Sequence, residues 1–95
     1  MKTIEFKETE LKEGDKKLNY GHLIHFCLDR MPKEGWTASA MRERMDIQDK
    51  LNADNNKRVD FIDTEVQVIK NCVQNFPWSN KHRNLIEFDE YIKLL

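Results

Sequence analysis

The chain has 95 residues, of which 39% are hydrophobic and 35% charged. This length suits one domain that buries about 60–70% of the surface its unfolded form exposes, so nearly every strong hydrophobe is needed inside. Sixteen basic against seventeen acidic residues leave a net charge of −1, without the basic excess that marks a nucleic-acid binder.

The first residues, MKTIEFKETELKEG, lack the apolar segment of a signal peptide. No apolar run approaches the ~18 residues that cross a bilayer. Cys27 and Cys72 both fall on apolar helix faces. They read as buried free thiols of a reducing compartment, so a cytoplasmic location is expected.

In chain order, Thr3–Lys7 alternates with Ile4 and Phe6 as apolar members, which predicts a short first strand. Gly14-Asp15 signals a turn, after which Leu18 closes a hairpin or staples the next helix. Asn19 is a good cap for a helix running to Met31, where Pro32 ends it. Tyr20, Leu23, Ile24, Cys27, Leu28 and Met31 fill an arc of roughly 140° on that helix. Gly21 in its first turn is mildly unfavourable.

Thr37 caps a second helix that runs to about Leu51. Ala38, Met41 and Met45 form one apolar cluster on it; Ala40, Ile47 and Leu51 form another about 120° away, with Arg44 and Gln48 between them. So wide an apolar arc suits a helix touching two neighbours, or one neighbour and a partner. If Met41 and Met45 pack on the core, Ile47 and Leu51 are partly left for a second contact. The alternative is that the first strand or the last helix covers them within the chain.

A polar loop, NADNNKR, leads to a strand at Val59–Ile62. Asp63 and Thr64 are capping types for a third helix whose face is Val66, Ile69, Val73 and Phe76, flanked by Val68 and Cys72, and Pro77 stops it. Ser79 or Asn80 caps a fourth helix with Leu85, Phe88, Tyr91, Ile92 and Leu95 on one side. Residues 1–95 thus read as a single α+β domain. About four helices pack on a small two- to three-stranded sheet that includes the first strand and Val59–Ile62.

Chemistry-bearing constellations are sparse. His22, His25 and Asp29 share a face within about 60° of helix one, opposite its core stripe. Zn²⁺ would need further ligands, and a solvated face is the better reading. No nucleophile–base arrangement or phosphate-cradling glycine loop occurs, so no enzyme activity, cofactor or small-molecule substrate is expected. Trp36 and Trp78 stand at loop–helix junctions, either as lids on a small core or as anchors for a partner. Arg44 in the apolar arc is either a snorkelling, locally paired arginine or a contact residue. The interface candidates are therefore Arg44, Gln48, Ile47, Leu51, Trp36 and Trp78.

The stretches GWTASAMRERMDIQDKL and VDFIDTEVQVIKNCVQNFPW, in that order, resemble a loose group of small phage and prophage proteins. These have a helix with an M-R-x-R-like start and a D-x-L ending, then a short strand, an acidic cap, an apolar helix and a final helix after P or PW. The likeness spans roughly residues 18 to 92. It implies an accessory or assembly protein with no catalytic residues to carry over. The expected function is a non-enzymatic protein-interaction module of phage type, acting in particle assembly or on a host component, with a protein partner or self-association. The alternative is a nucleic-acid-associated regulator using helices one and two like a helix-turn-helix.

Overall fold

A computed structural model describes residues 2–53, 58–78 and 81–95. The expected loop residues 54–57 and the expected caps Ser79 and Asn80 lie outside them. The described chain is α+β. Its elements are β1 (Lys2–Glu5), β2 (Glu8–Glu13), β3 (Lys16–Asn19), α1 (Tyr20–Asp29), α2 (Ala38–Ala53), β4 (Arg58–Phe61), α3 (Asp63–Gln74) and α4 (Arg83–Lys93).

The strands form two separate antiparallel pairs, β1 with β4 and β2 with β3. In the first pair Ile4 lies opposite Val59 and Lys2 opposite Phe61, so the inward residues Ile4 and Phe61 are buried while their neighbours face out. That period-two alternation is what fixes the register. The second pair is a hairpin turned at Gly14-Asp15, with Gly14 at φ 64°, a conformation that suits glycine. Its register slips between Glu8 and Lys12. There the buried Thr9 hydroxyl donates to the Leu18 carbonyl at 2.7 Å and accepts from the Leu11 N–H, which satisfies groups the irregular ladder leaves over.

Asn19 caps α1 as its residue type suggests. Its side chain accepts from the His22 N–H, and His22 Nδ1 accepts in return from the Asn19 N–H, both at 3.0 Å. This is a capping box with histidine in the place of glutamate. Gly21 has a packing reason: a Cβ there would stand 3.3 Å from the Phe6 ring and 3.0 Å from the Asn19 side chain. The helix ends at Asp29, not Met31, because the residue before a proline is pushed out of helical conformation. Met31 therefore leaves the core stripe and is 61% exposed.

α3 begins one residue earlier than its acidic residues suggest. Ile62 is the cap, and its N–H donates to the Glu65 carboxylate at 3.1 Å, with Asp63 in the first turn, where negative charge is favoured. α4 is capped by His82, whose Nδ1 accepts from the Asn84 N–H at 3.0 Å. Asn84 in turn accepts from the Glu10 N–H, and the Tyr91 hydroxyl accepts from the Glu5 N–H. These bonds tie α4 to the strands.

One core unites the elements. Leu23, Ile24, Cys27 and Leu28 of α1 meet Ile47 and Leu51 of α2, Val66, Ile69 and Val73 of α3, and Leu85, Phe88 and Ile92 of α4. α1 packs on both α2 and α3, and α3 on α4. Among the described residues, every buried side-chain nitrogen and oxygen has a hydrogen-bond partner.

Two substitutions on α2 separate its inner from its outer side. Ile47→Ala should cost about 2–5 kcal/mol of stability by urea denaturation, as a cavity opens in the core. Met45→Ala should stay within about 0.5 kcal/mol. Equal losses at both positions would contradict the packing described.

Candidate interaction surface

The sequence divides the apolar arc of α2 at Arg44 and Gln48, and the structure uses that division. Ile47 is 1% and Leu51 6% exposed, whereas Met41 is 42% and Met45 58% exposed. Ile47 and Leu51, candidates for a partner contact, are core residues. The elements packed most closely on α2 are α1 and α3, rather than the first strand or the last helix. The outward cluster is the methionine one, joined by the exposed Ala38.

Three polar ties hold α2 at this roll. The Arg44 guanidinium donates to the Leu28 carbonyl at 3.2 Å and to the Arg30 carbonyl. These oxygens end α1, where backbone acceptors lack helical partners and positive charge is favoured. Gln48 donates to the Asp29 carboxylate at 2.7 Å. On the other edge of the buried arc Lys50 pairs with Glu65 of α3 at 2.6 Å. Arg44 is thus locally paired. Charge reversal there would act on the fold first and cannot separate an interface from the core.

Trp36 stacks over the Arg44 guanidinium at 4.9 Å from its ring centre and stays partly exposed, so arginine and tryptophan hold each other in place. Trp78 is a lid: half-buried, edge-on to Phe76 at 4.5 Å and to Phe88 at 6.1 Å. Of the six candidates, the structure brings Arg44, Gln48 and Trp36 to the rim of the outer α2 face. It places Ile47 and Leu51 beneath that face and sets Trp78 in the α3–α4 aromatic cluster. Met31, Met41 and Met45, like Phe26, Ile62, Ile86 and Leu94 elsewhere on the surface, are exposed apolar residues that the sequence reading does not single out as an interface. For Met31 the signal was present, since Pro32 follows it.

Below Arg44, a cleft of about 430 Å³ is bordered by Cys27, Cys72, Arg30, Arg44, Asn71 and Asn75 among others. Its arginines face inward to backbone: Arg30 donates to the Asn75 carbonyl at the end of α3, as Arg44 does at the end of α1. Both cysteines are free, Cys27 buried and Cys72 only half-buried, because Cys72 lies off the Val66–Ile69–Val73 line. Burial pushes the Cys27 thiol up to about 12, and it raises Cys72 too, with Arg44 opposing. Burial thus favours the neutral thiol at both positions.

The polar face of α1 is engaged within the chain. His22 serves the cap, Asp29 accepts from Gln48, and His25 is half-buried. Among the described residues no group of three or more His, Cys, Asp or Glu side chains could hold a metal ion, and no helix is long and apolar enough to cross a membrane. Residues 30–37 separate α1 from α2, a longer connection than the 3–4-residue turn of a helix-turn-helix. Compared with protein-family models, curated proteins and solved structures, the chain matches none.

Burial holds the His25 imidazole below its ordinary range, and His22 pushes the same way, against Asp29 and Asn52. A histidine depressed in the fold takes up its proton more readily when unfolded. Its contribution is therefore present above the unfolded value, near 6.5, and is lost as pH falls toward the folded one. Thermal melts from pH 7.5 to 5 should show a smaller acid loss in His25→Gln than in the wild type. An unchanged slope would mean that His25 is not desolvated.

Proposed function

We propose that the chain is a non-enzymatic protein-interaction module of phage or prophage type, whose contact is the outer face of α2 with Trp36 at its edge. The observation that carries this reading is Met41 and Met45 exposed side by side on a helix whose roll is fixed from beneath. Methionine fills irregular gaps in a partner surface, and tryptophan and arginine are enriched where proteins meet. Because the face is held rigid by Arg44, Gln48 and Lys50, little ordering remains to be done on binding. The phage-type setting rests on the resemblance of the GWTASAMRERMDIQDKL and VDFIDTEVQVIKNCVQNFPW stretches, and it points to particle assembly or a host component as the context.

A photo-crosslinking residue placed singly at positions 41, 45, 86 and 12 in the producing cell tests this. Ile86 is a hydrophobe on α4 more exposed than either methionine, and Lys12 an exposed hairpin residue. Discrete adducts should form from 41 and 45 alone. Absence of adducts there, or the same adducts from all four positions, would overturn the reading.

A further inference from the structure

Beyond the core-facing arc, α2 carries a charge pattern that matches itself. Arg42 and Asp49 are both exposed, and among the described residues neither is in an ion pair within the chain. Seven residues apart, they lie about 10.5 Å from each other along the axis and within roughly 20° around it, on one flank of the Ala38–Met41–Met45 stripe. The opposite flank holds the uncharged Gln48 and, beyond it, Arg44, whose guanidinium is turned to the carbonyls that end α1. The midpoint of Arg42 and Asp49 falls between Met45 and Asp46.

In a two-fold antiparallel helix pair, each flank meets the same flank of the other helix. From this complementarity we propose that the occupant of the outer α2 face is a second copy of this chain. The two α2 helices run antiparallel about a two-fold axis passing between Met45 and Asp46. Arg42 of each copy then faces Asp49 of the other, twice over by symmetry. The two Met45 side chains meet at the centre, and each Met41 falls between the second copy's Asp49 and Asn52. A parallel pair would set both charges against the flank of Gln48 and of Arg44, which is already engaged with the end of α1, and gain neither Arg42–Asp49 pair. The proposal rests on the reading of this face as the contact surface and names its partner.

A contact centred on one 16-residue helix is smaller than a standard protein–protein interface, so the dimer is weak and concentration-dependent. Sedimentation velocity of the purified chain from roughly 5 to 500 µM should show a rise from monomer to dimer mass. Arg42→Asp and Asp49→Arg, each alone, oppose like charges at both symmetric pairs and should weaken the dimer about ten-fold or more. The double variant restores both pairs with reversed sign and should recover dimerisation. Neither change threatens the helix, since acid toward its start and base toward its end both suit the dipole; circular dichroism melts should confirm unaltered folding. A wild type that stays monomeric across the range would overturn the proposal, as would single variants that dimerise like the wild type or a double variant that fails to recover. The interaction reading fails separately, by the absence of crosslinks from positions 41 and 45. A monomer that still crosslinks there to a species of another mass would overturn self-pairing alone.

Discussion

The grip of the Arg44 guanidinium on the carbonyls that end α1 sets the roll of α2, and which of its apolar clusters meets solvent follows from that roll. Burying Ile47 with Leu51, or Met41 with Met45, would yield comparable hydrophobic gain, about 1.5–3 kcal/mol per side chain. Burial alone therefore does not choose between them. Hydrogen bonds from a charged group are worth about 1.5–3 kcal/mol, and Arg44 makes them at the inner roll only, with Gln48 on Asp29 and Lys50 on Glu65 adding to the same side. The opposite roll would also carry Asn52 and Asp49 toward the core, where their desolvation would go uncompensated. The polar residues decide the geometry, and the apolar ones fill it.

Much of the fold was legible from local chemistry. Asn19 before a periodic apolar run marks α1, Gly14-Asp15 marks the turn, and Pro77 bounds α3, whereas the strand β2 that meets β3 across that turn carries no clear signal of its own. The pairing of the first strand with the expected strand at Val59–Ile62 is also found, as β1 with β4 at Arg58–Phe61. The departures have simple causes. Met31 sits correctly on a helical wheel, but Pro32 removes the wheel beneath it. His22 and His82 serve at helix starts, a role seldom assigned to histidine from type alone. The hairpin stands as its own sheet because Glu10 and Glu5 turn their backbone N–H groups to Asn84 and Tyr91 of α4 instead of to a shared strand.

At the site, the two clusters on α2 and the polar pair dividing them were visible in the sequence, but not which cluster faces in. That depended on where α1 ends, since Arg44 needs the carbonyls of Leu28 and Arg30 within reach. Yet Asn52 falls between Met41 and Met45 on the wheel, and Asp49 beside Ala38. A polar residue inside one arc and none inside the other already favoured Ile47 and Leu51 as the buried pair. The proposed contact follows on the same chain of causes: a helix fixed from beneath presents a methionine stripe with a charged flank, and Trp36 is clamped at its edge by the same arginine that sets the roll.

The central claim is the roll of α2, and methyl NMR with a soluble gadolinium chelate reads it directly on a dilute sample. The methyl resonances of Met41 and Met45 should broaden strongly, those of Ile47 and Leu51 should be protected, and Arg44→Met should narrow the contrast. Protected methionine methyls with exposed Ile47 and Leu51 would contradict the account at its root.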